Sequence, residues 1–146
     1  MLKILVPIDG SDNSNRALDH LLTLRANGSA LDIHLLNVQI PIDSGHARMF
    51  VSHDDIESWH RDEGLKALAG ARARLDAAGI PYTHHIAVGH VADTIVRFAN
   101  EHHFDKILMG THGHGGLLQT LLGSVAKAVL ERSPIPVTLV KPDAKG

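Results

Sequence analysis

The chain has no cysteine among its 146 residues. That excludes disulfides, thiolate nucleophiles and cysteine-ligated zinc. Aromatic residues make up only 3% of it, with one tryptophan and one tyrosine. Successive bases of a single-stranded nucleic acid would find few rings to stack on. Neither sign of charge dominates, with 14 Lys and Arg against 16 Asp and Glu, so no polyanion or anionic membrane is implied as a partner. No apolar run approaches the ~20 residues of a membrane span. The first residues enter a strand pattern directly, with no charged-then-apolar leader. The expectation is a soluble, cytoplasmic protein that neither binds nucleic acid nor inserts into a membrane. Its length suits one domain with a full core, expected over residues 1–142 with a tail at 143–146.

What is present is a strict alternation of two periodicities. Leu2 to Ile8 is a short apolar run that ends in the turn cluster Asp9-Gly10-Ser11-Asp12. From Ser14 to Ala26, apolar residues fall at helical spacing, and Asn27-Gly28 supplies a stop. Leu31 to Val38 reads as the next strand. Residues 39–52 show no period and read as a long loop, a kind that is uncommon unless functional or mobile. Asp54 to Ala78 is helical in propensity, with Ile56, Trp59, Leu65, Leu68 and Leu75 as expected core positions. Gly64 and Gly70 weaken its middle. Strands are expected at Ile80–Val88, Asp105–Gly110 and Pro136–Lys141. One helical stripe runs through Val91, Ile95, Phe98 and Ala99, another through Leu118, Leu122, Val125 and Val129. Alternating strands and helices with apolar strands argue for an α/β fold, an open parallel sheet covered by helices on both faces. In such sheets ligands bind beyond the carboxyl ends of the strands. Asp9, Val38 and Gly110 each end or follow a strand, so all three belong to that edge.

The segment with most chemical content is Met109 to Ser124. Gly110, Gly113, Gly115, Gly116 and Gly123 fall between a strand and a helix start. Free backbone N–H groups at such a place bind anions, and glycines admit a phosphate closely. No G-x-x-x-x-G-K-[ST] occurs, and no G-x-G-x-x-G is completed, which excludes the Walker and dinucleotide loops. Twelve histidines are many for this length. His84 and His85 are neighbours in a strand and point to opposite faces. Without cysteine or H-E-x-x-H, most histidines read as solvated surface residues, and His112 and His114 are placed to hydrogen-bond a phosphate. Asp54, Asp55, Glu57, Asp62 and Glu63 read as a charged helix start.

These residues resemble the universal stress protein family, in its ATP-binding branch. Ile4-Leu-Val-Pro-Ile-Asp-Gly-Ser11 is similar to that family's opening strand and turn. Val88-Gly-His-Val-Ala92 through Asp105-Lys-Ile-Leu-Met-Gly-Thr-His-Gly113 is similar to its third helix and fourth strand. Gly110-x2-Gly113-x9-Gly123-Ser124 fits the branch's G-x2-G-x9-G-[ST] signature, and Ser133-Pro-Ile-Pro-Val-Thr-Leu-Val-Lys-Pro142 its closing segment. The resemblance implies a Rossmann-like sheet of five strands, order 3-2-1-4-5, of the adenine nucleotide alpha hydrolase type. It implies ATP, with ADP or AMP as alternatives, bound across the ends of strands one and four. Asp9 then lies near the adenosine, and Val38 reads adenine through its backbone. Gly110 stands beside the ribose, and Gly113, Gly123, Ser124 and Val125 cradle phosphate. Pro7, Ile8 and Met109 are wall positions. His112 and His114 face the phosphates, His114 standing where many relatives carry arginine. Mg²⁺ prefers phosphate oxygens plus one or two carboxylates, which Asp9 or Asp12 would supply to a nucleotide-bound ion. No catalytic residue is assigned. The expected role is a nucleotide-dependent regulatory protein of the stress response, the alternative a slow ATP hydrolase. In the implied order strand five (136–141) is an apolar edge, and a homodimer through it is expected.

Overall fold

The computed structural model describes residues 1–42, 52–111 and 122–141. His112, Gly113, His114, Leu118, most of the 39–52 loop and the 143–146 tail lie outside the described residues. The elements are β1 (Leu2–Pro7), α1 (Asp12–Ala26), β2 (Leu31–Gln39), α2 (His53–Ala77), β3 (Thr83–Val88), α3 (Val91–Glu101), β4 (Lys106–Gly110), α4 (Ser124–Arg132) and β5 (Val137–Val140). The five strands form one sheet in the order β3-β2-β1-β4-β5, and every pair is parallel. This is the order expected from the family resemblance.

Alternation along β1 divides the core in two. Ile4, Val6 and Ile8 join Leu18, Leu21, Leu68 and Leu75 under α1 and α2. Leu5 joins Ile95, Ala99, Ala126 and Val129 under α3 and α4. Both faces of the sheet are therefore covered, as expected from the apolar strands.

Four local outcomes differ from the sequence reading. α1 begins two residues earlier than expected, because Ser11 caps it: its hydroxyl accepts the Ser14 N–H at 3.1 Å. β3 starts at Thr83 instead of Ile80. Gly79 takes the left-handed conformation (φ 68°) and the N–H of Ile80 bonds the carbonyl of Leu75. That closing turn of α2 tucks Ile80 into the core against the helix end. Leu122 precedes α4 and is exposed, so it does not belong to the helical stripe. In α2, Leu68 and Leu75 are buried as expected, Ile56 and Leu65 are half-buried, and Trp59 is exposed instead of core.

The two glycines of α2 do not break it. A Cβ at Gly64 would press on the side chain of Ile86 from β3 at 2.8 Å. The helix thus lies on the sheet more closely there than any other residue would permit. α2 begins at Ser52, whose hydroxyl accepts the Asp55 N–H at 3.1 Å, with Asp54 and Asp55 in the first turn. The acidic residues there stabilise the helix dipole.

Candidate functional site

β1, β2 and β4 deliver their carboxyl ends to one edge of the sheet. Pro7 pairs with Leu36 and Leu5 with Ile107. Continuing those registers sets Asp9 level with Val38 and Ile8 level with Gly110. The turn after β1 is built by Asp9 itself. Its carboxylate accepts the Ser11 N–H at 2.9 Å, and Gly10 sits at φ 88°. This is an Asp-turn two residues long, which only glycine adopts without strain at its centre.

Val38 is left with its backbone facing the place where β1 has ended. Ile8 donates its N–H to the carbonyl of Leu36 at 2.8 Å, and Gly89 donates to the carbonyl of Gln39 at 2.9 Å. Alternation along the strand therefore turns the N–H and C=O of Val38 toward β1, beyond its last paired residue. The carbonyl of Ile8 is taken by the buried side chain of Asn37 at 2.9 Å, which in turn accepts from Gln39 at 2.7 Å. Ile8 itself has a core side chain and both backbone groups bonded. It forms floor and offers a ligand no polar contact. Pro7 and Met109 are buried beside it.

At the end of β4, the N–H of Gly123 bonds the carbonyl of Thr111 at 2.8 Å. This pins the start of α4 to the strand end. Gly123 is the N-cap, and no side chain caps the helix. The amides of its first turn, at Ser124 and Val125, have no partner within the helix. An uncapped helix start is an anion site by its dipole and its spare donors. Gly110 is needed for packing as well. A Cβ there would lie 2.8 Å from the backbone oxygen of Asn13. Asn13 also donates to the carbonyl of Val140 at 3.3 Å, so the start of α1 is tied down onto the β4–β5 end.

The structure thus brings Asp9, Val38, Gly110, Gly123, Ser124 and Val125 to one edge. Beside them, on the α2 side, opens a cleft of 480 Å³ lined by Asp9, Gly10, Gln39, Trp59, Glu63, Lys66 and Ala67. Its volume is in the range of small-molecule sites. The α2 wall had not been expected from the sequence; the signal available was the stripe 59, 63, 66, 67.

The whole of this architecture matches known proteins. The family model described as the universal stress protein family matches residues 1–141. The chain belongs to the universal stress protein family. Universal stress protein MJ0531 of Methanocaldococcus jannaschii is 32% identical, over 98% of this chain and 84% of the relative. The solved structure of protein MJ0577, from the same organism, superposes with a TM-score of 0.81 at 29% identity, over 97% of this chain and 96% of the other. A universal stress protein solved in complex with cAMP superposes with a TM-score of 0.68 at 28% identity, over 95% and 96%. Among the described residues of this family member, no helix is long and apolar enough to cross a membrane.

The histidines depart from the sequence reading in three places. His60 is buried. His34 of β2 and His85 of β3 are partly buried on the α3 side of the sheet, rings coplanar and edge to edge with centroids 5.2 Å apart, His34 Nδ1 and His85 Nε2 at 2.9 Å. Asp32 meets the other His34 nitrogen at 3.1 Å. Neutral His34 that donates to Asp32 from Nε2 has Nδ1 left to accept from His85. Burial, then the neighbouring His34, holds the pKa of His85 below its ordinary value. His84 faces the other side, as strand alternation requires.

Proposed function

We propose that this universal stress protein binds an adenine nucleotide, ATP foremost, and acts in the cytoplasm as a nucleotide-dependent regulator. The observation that carries the reading is the uncapped start of α4, pinned to the end of β4 and preceded by the family's glycine spacing. The residues present fit a nucleotide. The first-turn amides at Ser124 and Val125 suit a phosphate, the outward backbone pair of Val38 suits the edge of an adenine, and Asp9 stands between them at ribose level. Gly113, His112 and His114 would complete the phosphate cradle. Bound ATP supplies a triphosphate and its Mg²⁺, to which Asp9 or Asp12 would offer a carboxylate. The cAMP complex of a relative supports an adenine nucleotide as the ligand class.

Calorimetry with Mg²⁺ and ATP tests it. The expected dissociation constant is micromolar, about −8 kcal/mol. Gly123→Val should stay folded, because Gly123 has φ −64° and ψ 156°, a conformation valine accepts, yet lose binding through the bulk added to the cradle. No heat and no thermal stabilisation at millimolar nucleotide would refute the reading. Phosphate release faster than about 1 s⁻¹, the low end for enzymes, would replace the regulator by an ATP hydrolase.

The same proposal includes a homodimer. β5 lies at the sheet edge with Val137–Val140 all half-buried. The carbonyls of Pro136 and Val140 accept from β4, so Val137 and Leu139 turn their backbone groups outward. A second copy adding antiparallel to this edge would satisfy them. Leu139→Pro removes an outward donor and no β4 bond. Light scattering should show a wild-type dimer at tens of micromolar and a monomeric variant; a monomeric wild type would sink the dimer.

A further inference from the structure

Two stripes run side by side along α2. His60, Leu68, Ala71 and Leu75 are buried, and Gly64 lies in the same row against Ile86 of β3. One position round the helix, Trp59, Glu63, Lys66 and Ala67 line the cleft opposite Asp9, Gly10 and Gln39. The helix runs antiparallel to the strands, so its first turns overhang the carboxyl edge. Gly64 seats on Ile86, whose level is one residue below Val38 and its partner Ala87. Trp59 is five residues nearer the helix start, about 7 Å further out along the axis. That places the indole above the edge where the backbone of Val38 turns outward.

Trp59 is 47% exposed. It meets the ring of His60 edge-on at 5.1 Å. A large aromatic side chain held in a cleft wall with half its surface in water gains when a flat apolar face covers it. The rest of the lining selects which flat molecule. Gln39 is an amide next to Val38. Lys66 is a mostly exposed cation whose Glu63 partner stands 3.8 Å away, too loose and too solvated to neutralise it. An aromatic face and an amide around one cleft suit a planar, hydrogen-bonding group, while the carboxylates of Asp9 and Glu63 in the same lining leave a ligand's anionic groups to the cradle at α4.

We infer that Trp59 is the stacking face for the base of the bound nucleotide, an inference that rests on the nucleotide reading above. The base lies between the indole of α2 and the Val38–Gln39 end of β2, and its phosphates extend out of the cleft toward α4. α2 thereby becomes a specificity wall for nucleobases, separate from the phosphate cradle at α4.

The chain has one tryptophan, so its emission reports this contact alone. The full-length protein is titrated with Mg²⁺ and ATP, following heat and tryptophan emission together, with inorganic tripolyphosphate as a probe that lacks a base. The expected result is emission that changes with the same midpoint as the heat. Trp59→Phe should keep affinity within about 3-fold, and Trp59→Ala should weaken ATP about 10-fold while leaving tripolyphosphate unchanged. Heat with unchanged emission and full affinity in Trp59→Ala would overturn the stacking and spare nucleotide binding. An equal loss for ATP and tripolyphosphate would overturn it too, since the effect would not concern the base. No heat with ATP would overturn the nucleotide reading and the inference with it.

Discussion

Replacing Gly64 by alanine adds one methyl group at the tightest contact between α2 and the sheet. The new carbon would lie 2.8 Å from Cδ1 and Cγ2 of Ile86 and 2.9 Å from Cγ1, well inside the ~3.5–4.0 Å optimum for carbon pairs. Two of those atoms sit directly on the β-branched Cβ, which is stiff about χ1, so the side chain cannot swing away cheaply. Alanine gains about 1 kcal/mol of helix propensity over glycine, and overpacking of this kind costs about 1–3 kcal/mol. The balance is a loss of about 1 kcal/mol. Gly70 is the internal control. It lies in the same helix, exposed, and a Cβ there would meet the side-chain amide of Asn15, its nitrogen at 3.0 Å and Cγ at 3.8 Å, with no sheet residue in reach. Gly70→Ala should therefore gain about 0.5–1 kcal/mol. Urea unfolding should place the two variants on opposite sides of wild type, with midpoints separated by about 1 M at an ordinary m-value. Ile86→Ala should turn that loss into the ordinary helix gain in the Gly64→Ala background, a coupling of about 2 kcal/mol in a double-mutant cycle. A Gly64→Ala protein as stable as Gly70→Ala, or a penalty that survives removal of Ile86, would refute the argument.

Two further outcomes follow from polar groups. Asn37→Leu keeps the branched shape of a buried side chain but leaves the carbonyl of Ile8 without its donor and Gln39 without its acceptor; urea unfolding should show a loss of about 2 kcal/mol, and a loss under about 0.5 kcal/mol would show that the carbonyl finds another partner. The depressed pKa of His85 means that the unfolded chain takes up that proton first. Its contribution is complete above the unfolded value of about 6.5, falls as pH drops through it, and levels off once the folded protein is protonated too. Burial acts on it first, then the neighbouring His34, His102, His84 and Lys3, so His85→Gln should flatten the stability profile as pH falls through about 6.5; an unchanged slope would assign the dependence to other groups.

The alternation of strands and helices was legible because burial on both faces leaves apolar stretches such as Ile4–Ile8 and Ile107–Met109 and because Asn27-Gly28 marks a stop. Strand order came from the family's motifs, since periodicity does not say which strand lies beside which. The edge residues Asp9, Val38 and Gly110 could be placed by chain direction alone. Trp59 could not. Its spacing from Ile56 fits a core stripe, and only the overhang of α2 past the sheet turns it into a cleft wall. Ile80 looked like strand for a similar reason, as an apolar residue before a β-pattern whose burial is provided by a helix end. Gly64 looked like a weakness because the sequence does not show Ile86 beneath it. The His34–His85 contact joins two strands and has no local signal at all.

Ile4 pairs with Lys106, while its other neighbour on the sheet, Ile33, follows it closely in the chain. The central strand is thus synthesised well before the strand that completes its other side. During translation at ~5–20 residues per second, β1, β2 and β3 with α1 and α2 can assemble while one side of β1 still waits for β4. In that interval an apolar strand edge is open, and a long loop must close before it is covered. Folding of this protein should therefore be limited by the arrival of the β4 segment.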